Sequence, residues 1–362
     1  MEVDWEATRQ ECQALQAGFF ANRALIIAAN RAPVTFDRAE DGSLSFQRGG
    51  GGLVTALTDL CRTAEDATWI GCARTEADAQ WRQGIVALDG EESVGVRFMS
   101  PAEEAYDGYY NVIANPLLWF LQHSMWDVPR APVIDRNTWQ AWEQGYKEVN
   151  RLFGQTIIRQ VRASRRPTLL MLQDYHLYLA PRFVRDGLRR KERPTIQLFV
   201  HIPWPGPDYW RILPPAMRQE ILDGLCAVDL LGFQTEEDSA NFLRTVDAFI
   251  PRASVNFRRR RVWYRNHATH ARDFPISIDC DSLRQSAASE EAAGYLAELA
   301  EMSGDCSLIL RVDRIEPSKN IVRGFLAFEE MLELHPEHRG KVQFLTLLVP
   351  SRLDVEEYRH YL

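Results

Sequence analysis

The chain has 362 residues, 46% hydrophobic and 25% charged, with a formal net charge of -8 and a pI near 5.6. These are the values of a soluble globular protein of about two domains, and they argue against bulk attraction to nucleic acid or an anionic membrane. The acidic, polar start does not read as a signal peptide, and no apolar stretch nears the roughly 18 residues that span a bilayer. The six cysteines are scattered without a CxxC pair. They predict a reducing cytoplasm with buried thiols, and neither a disulfide frame nor a zinc site.

Residues 4–18 read as a helical leading arm. Residues 24–29 are a continuous apolar run, the pattern of a buried parallel strand. Asn30-Arg31 stands at its carboxyl end, where open α/β sheets place ligands. Arg48-Gly49-Gly50-Gly51-Gly52-Leu53 then opens a helix. The glycine run is either a flexible turn or a place where backbone amides approach a ligand. Residues 68–72 and 94–98 are strands. Tyr109-Tyr110-Asn111 and Trp119 follow, with Trp119 in a helix. These aromatics are either core or an apolar wall for a sugar ring with a hydroxyl to anchor it.

Residues 136–163 form a long helical pattern. The buried strand at 168–172 ends in Gln173-Asp174-Tyr175-His176-Leu177, and the one at 196–200 ends in His201-Ile202-Pro203. Two consecutive strands presenting Asp174 and His201 at one sheet edge predict a polar site there. Residues 229–233 are a short strand, and Thr235 caps the helix after it. Arg258 to Arg261 read as a solvated hairpin end, not a nucleic-acid patch, in so acidic a chain. Residues 274–279 look like a strand leading to a linker, and 280–303 like one crossing helix.

The apolar run 307–310 enters Arg311-Val312-Asp313-Arg314-Ile315-Glu316-Pro317-Ser318-Lys319-Asn320, and an amphipathic pattern follows over 321–334. That is strand, polar turn and helix, with Ser318 or Asn320 available as cap. The turn is either an anion site at a helix N-terminus or a loop with two surface cations, Arg314 and Lys319. A last buried strand, 342–349, is tipped by Pro350-Ser351-Arg352, and residues 354–362 begin a helix. The alternation predicts an α/β chain of two doubly wound Rossmann-like lobes, residues 1–279 and 280–362. The second, with two strands, would not close a doubly wound domain and reads as incomplete.

The ordered motifs carry a further implication. Asn30-Arg31, Gly51-Gly52-Leu53, Tyr109-Tyr110-Asn111, Leu118-Trp119, Asp174-Tyr175-His176-Leu177 and His201-Ile202-Pro203 are followed by Asp229-Leu230-Leu231-Gly232-Phe233-Gln234-Thr235. Arg314 with Ser318-Lys319, and Ser351-Arg352 with Asp354-Val355, complete the series. On these the chain resembles, from 25 to 358, the trehalose-6-phosphate synthase family, retaining glycosyltransferases of the two-lobed GT-B architecture. The resemblance implies transfer of glucose from a nucleotide sugar, UDP-glucose above others, to glucose 6-phosphate. Arg31, Tyr110, Trp119, Asp174 and Arg352 fall on the acceptor site. Gly51, Gly52, His201, Arg314 and Lys319 fall on the donor site, and Asp174, His201, Arg314 and Lys319 on the catalytic centre.

No metal or other cofactor is implied. The partners are small-molecule substrates, with no nucleic acid or membrane and a homo-oligomer left open; the setting is cytoplasmic. The chain also departs from the family. Gln173 stands where a His is usual, Phe120 where a Pro is, Trp204 where a Phe is, and Asn320 where a Gly closes the turn. A relative using glycerol 3-phosphate or a cyclitol phosphate therefore stays open, as does a non-catalytic sugar-phosphate-binding paralogue. The family's later donor-binding segment has no counterpart here, so little transferase activity is expected of these residues alone.

Overall fold

The computed structural model describes residues 5–39, 41–49, 52–81, 83–87 and 93–362. It falls into two compact units, Met1–Pro275 and Ile276–Leu362.

The strands of the first unit follow the apolar runs. They are β1 (Ala24–Arg31), β2 (Val34–Arg38), β3 (Leu44–Arg48), β4 (Ala67–Cys72), β5 (Gln83–Ala87) and β6 (Ser93–Met99). After a long helical region come β7 (Thr168–Gln173), β8 (Thr195–Phe199), β9 (Leu230–Phe233), β10 (Ser254–Asn256), β11 (Arg261–Tyr264) and β12 (His267–Asp273). Strands β2 and β3 pair as a separate hairpin. The others form one ten-stranded sheet in the order β10-β11-β12-β9-β8-β7-β1-β4-β6-β5.

From β12 to β6 every neighbouring pair is parallel, and the antiparallel strands β5, β11 and β10 lie at the two edges. Strands of a parallel sheet are covered on both faces, which is why they read as unbroken apolar runs. Leu25, Ile27, Leu170, Leu172, Ile196 and Leu198 are fully buried. The chain winds outward from β1 in both directions, so strand order reverses between β1 and β7. A crevice opens at such a switch point, at the carboxyl ends of the strands.

The helical region 136–163 starts at Asp135, whose carboxylate accepts the Thr138 N–H at 2.9 Å as an N-cap. It runs as Arg136–Gln140, a π-wound segment Ala141–Tyr146, and Lys147–Ala163. Thr235 caps Glu236–Phe249 through the Asp238 N–H. The arginine run lies at a hairpin end, where Arg260 ion-pairs with Glu236 and Asp273.

Residues 274–279 form no strand: the Phe274 N–H makes a last rung to Phe233 O at 2.8 Å, and Pro275 has no N–H to continue. The single crossing helix is two, Cys280–Ala287 and Glu290–Ser303, because Ser289 starts a new one by accepting the Ala292 N–H at 3.1 Å. The thiols are not uniformly buried: Cys61, Cys72 and Cys226 are, whereas Cys12 and Cys280 are exposed.

The second unit contains β13 (Ser307–Ile315) and β14 (Val342–Pro350), parallel and in register from Ser307 opposite Val342 to Ile315 opposite Pro350. The sequence pattern predicts that β14 is buried. Instead Val312 is 64% exposed and Val349 59%, because a two-stranded pair lacks the flanking cover that parallel strands require. No helix of the described residues is long and apolar enough to cross a membrane.

Candidate functional site

In the first unit the site is built at the carboxyl edge of β1, β7 and β8. The ladder of β1 shifts register between Ala28 and Arg31, and Arg31 itself pairs with Cys72 of β4. Arg31 is held by its backbone, its carbonyl accepting the Trp69 indole N–H at 3.1 Å. The next residue passes against Gly71, where a Cβ would lie 2.5 Å from the Ala32 amide nitrogen. Only glycine admits that approach. The exposed Arg31 guanidinium donates to the Tyr110 hydroxyl at 3.3 Å.

Tyr110 stands on an eleven-residue π-wound segment, Gly108–Leu118. Such winding is rare and concentrates at functional sites. The segment crosses the Ala141–Tyr146 segment at two glycines. A Cβ on Gly145 would meet the Tyr109 amide nitrogen at 2.7 Å, and one on Gly108 the Ala141 Cα at 3.2 Å. Tyr106 and Tyr110 stack with centroids 5.6 Å apart, and Tyr110 stacks on His176 at 5.9 Å. Trp119 packs on His123 at 4.1 Å and against Tyr175 at 5.6 Å. The open question over the aromatics is thus divided: Tyr109 is fully buried core, Tyr110 is half-buried, and Trp119 is 7% exposed.

Asp174 follows β7 with φ 70° and ψ 177°, a backbone region that is essentially glycine's. Its amide donates to Phe199 O at 2.7 Å, and its carboxylate accepts the His201 N–H at 3.1 Å. The two strand tips are therefore locked to one another. The His201 Nε2 lies 2.9 Å from Gln173 Oε1, an acceptor, so Nε2 carries the proton and Nδ1 the lone pair. Burial lowers the His201 pKa and Asp174 opposes this, leaving a neutral imidazole at pH 7. Gln173, the departure from the usual His, thus sets the tautomer of His201.

The turn after Asp174 is held by residues that sequence reasoning missed. Asn150 is fully buried. Its amide donates to Tyr146 O at 2.9 Å and His176 O at 3.0 Å, and its oxygen accepts the Leu179 and Ala180 N–H groups at 3.1 and 3.0 Å. Asn115 Oδ1 accepts the Tyr175 hydroxyl at 2.8 Å. Of the glycine run, Gly51 lies outside the described residues, and Gly52 begins the helix Gly52–Thr63.

In the second unit Arg314 and Arg352 both stand at the carboxyl edge of β13 and β14. Arg314 Nη2 lies 3.3 Å from Glu316 Oε2, whose side chain is 1% exposed, and Arg352 donates to the Tyr358 hydroxyl. Burial pushes Tyr358 up to about 12, with Arg352 countering and Glu316 adding to the shift. The half-buried Lys319 ends the turn Pro317–Lys319, and Arg311 donates to its carbonyl. The expected caps do not cap. Ser318 Oγ donates to Glu316 Oε1 at 2.6 Å, and Asn320 makes no side-chain bond to the helix Ile321–Leu334. The first amide of that helix, Ile321, donates to the Tyr361 hydroxyl at 2.6 Å. Cations, more than free helix amides, are what this edge offers an anion.

Asn320 adopts φ 54° and ψ 41°. Asn tolerates this left-handed conformation better than other non-glycine residues, which explains why it can stand where glycine is usual. Asn320→Gly is expected to leave stability within about 0.5 kcal/mol of the parent, and Asn320→Val to cost about 1–2 kcal/mol. Urea melts of the two variants followed by circular dichroism check this; equal midpoints would refute it.

Residues 23–362 match the model of glycosyltransferase family 20. The chain belongs to that family. Among similar proteins, the UDP-forming alpha,alpha-trehalose-phosphate synthase of Pichia angusta is 33% identical over 92% of this chain and 68% of its own length. The 56 kDa subunit of the Saccharomyces cerevisiae UDP-forming synthase is 32% identical over 93% of this chain and 65% of its own. A solved E. coli structure, described as trehalose-6-phosphate bound with UDP-2-fluoro glucose, superposes with a TM-score of 0.76 at 26% identity, covering 93% of this chain and 67% of that one. A Burkholderia vietnamiensis UDP-forming synthase gives 0.74 at 25% identity over 94% and 67%. The family 20 fold is GT-B, and its members are glycosyltransferases. This chain spans about two thirds of the length of the relatives it matches.

Proposed function

We propose that this chain carries the acceptor-binding lobe and part of the donor-binding lobe of a retaining transferase that moves glucose from UDP-glucose to glucose 6-phosphate. The observation that carries the reading is the convergence of Arg31, Asp174 and His201 at the carboxyl edge of β1, β7 and β8, with the Asp174 carboxylate 3.1 Å from the His201 amide. An acceptor sugar phosphate needs a cation for its phosphate, a carboxylate for its hydroxyls and an aromatic wall for its ring. Arg31, Asp174, and Tyr110 with Trp119 supply these three in turn. His201, neutral with a lone pair on Nδ1, is suited to accept from a donor-sugar hydroxyl.

In the second unit Arg314 and Lys319 would hold the donor diphosphate, and Arg352 would serve the acceptor. Cleaving a sugar–diphosphate bond develops negative charge on the leaving group, and fixed cations offset it in the transition state. Gly51 and Gly52 would add backbone donors. No metal, other cofactor, nucleic acid or membrane enters this reading, and its setting is the cytoplasm.

The test is calorimetric. Arg31→Ala should weaken glucose 6-phosphate binding by about 1.5–3 kcal/mol, roughly 10- to 100-fold, through loss of a charge-assisted contact. Unchanged affinity would overturn the acceptor assignment. An assay with UDP-glucose, run beside it, separates turnover from binding alone.

A further inference from the structure

A cavity of about 350 Å³ opens next to Arg31, and the acceptor residues named above account for only one part of its wall. Arg48 and Arg74 also line it, with Thr35, Gln47 and Thr75 between them. The three arginines come from three places: the tip of β1, the end of β3, and the loop after β4. Each is presented on pinned backbone. The Trp69 indole holds Arg31 O at 3.1 Å. Arg48 stands opposite Val34 in the β2–β3 hairpin, and the next amide, Gly49, donates to Pro33 O at 2.8 Å. The Arg74 N–H donates to Asp78 Oδ2 at 2.9 Å, and the Thr75 hydroxyl to Phe36 O at 2.8 Å.

One carboxylate, Asp78, stands on the same wall, but it is fully buried and committed elsewhere. Its oxygens accept backbone N–H groups of Phe36 at 2.7 Å, Arg74 at 2.9 Å and Thr75 at 3.3 Å. Neither Arg31 nor Arg74 is in an ion pair among the described residues. The charges of Arg31 and Arg74 line one small space and repel one another, and an oxyanion between them removes that repulsion. Planar guanidinium forks match phosphate oxygens in pairs. The volume is at the small end of ligand pockets, enough for a phosphorylated small molecule.

We propose that this cavity is a phosphate pocket in which Arg48 and Arg74 join Arg31 in holding the phosphate of the acceptor, making both residues determinants of specificity for a phosphorylated acceptor. The proposal rests on the reading of Arg31 as an acceptor ligand. Because Arg31 also reaches Tyr110 at 3.3 Å, a phosphate in the cavity leaves the sugar beside the aromatic wall.

The experiment titrates the full chain with inorganic pyrophosphate and, separately, with glucose 6-phosphate. Arg48→Gln and Arg74→Gln should each lower affinity for both ligands about tenfold, and the double variant about a hundredfold, with a weaker dependence on salt. Arg48→Lys and Arg74→Lys should recover much of the pyrophosphate affinity. Thermal melts should not move, since both side chains are exposed. Parental affinity for both ligands in the double variant overturns the proposal. If the parent binds pyrophosphate with this arginine dependence but glucose 6-phosphate not at all, the acceptor reading fails and the phosphate pocket stands.

Discussion

Asn150→Ala is expected to cost about 3–4 kcal/mol of stability and to weaken sugar-phosphate binding with it. The side chain is fully buried and makes four hydrogen bonds, to Tyr146 O and His176 O and from the Leu179 and Ala180 amides. Truncation leaves the Leu179 and Ala180 N–H groups without that acceptor in a region closed to water. Each buried polar group so stranded costs about 1–3 kcal/mol. The small cavity adds to this. The bonds matter for the site because they fix the turn that starts at Asp174 and carries His176, on which Tyr110 stacks. Urea unfolding followed by circular dichroism, with calorimetric titration of the folded variant, reads both effects. A loss below about 1 kcal/mol would show that the turn holds itself and that Asn150 only occupies space. Asn150→Asp separates the two roles of the side chain, since it keeps the acceptor for Leu179 and Ala180 but loses the donors to Tyr146 and His176.

The contrast between Asp174 and Asn150 shows what the sequence makes legible. Strands buried on both faces must be unbroken apolar runs, so 24–29, 168–172 and 196–200 announced β1, β7 and β8. Where such a run ends, the first polar residues fall at the ligand edge, so Arg31, Asp174 and His201 could be named from position alone. Asn150 could not. It is one polar residue in a long amphipathic helix, and its partners lie up to 30 residues away. The same holds for the Tyr361 hydroxyl that receives the Ile321 amide 40 residues earlier in the chain. Long-range convergence leaves no local pattern, which is also why Arg74 drew no notice and Arg48 was read only as the start of the glycine run. Two local signals were present and passed over. Ser289 followed by Glu290 and Glu291 is an N-cap with an acidic first turn, enough to break residues 280–303 in two. Gly108 and Gly145 mark the close crossing of the two π-wound segments, whose wider winding a 3.6-residue period does not reveal.

Asp174 offers a test in which stability and activity are expected to part. Its φ of 70° and ψ of 177° belong to a region that only glycine occupies without strain, and holding another residue there costs about 1–3 kcal/mol. A residue kept in such a conformation at a strand tip points to a role outside stability. Asp174→Gly removes the strain, and it also removes the acceptor of the His201 N–H, a charge-assisted bond of about 1.5–3 kcal/mol. The two changes oppose one another, so Asp174→Gly should stay closer to the parent in stability than a variant that loses the bond alone. Asp174→Ala keeps the strain and loses the bond, and should be less stable than Asp174→Gly by about 1–2 kcal/mol. For glucose 6-phosphate the two variants should behave alike. Both lack the carboxylate proposed to hold acceptor hydroxyls, and charge-assisted bonds of about 1.5–3 kcal/mol each predict a loss of roughly 10- to 100-fold or more in affinity. Asp174→Asn retains part of the polar contact and tolerates positive φ, so it should fall between parent and Ala in both measurements. Paired urea melts and titrations of the three variants decide the matter. A glycine variant that binds glucose 6-phosphate as the parent does would remove Asp174 from the acceptor site. One that is less stable than the alanine variant would show that the surrounding fold, and not the ligand, requires the aspartate.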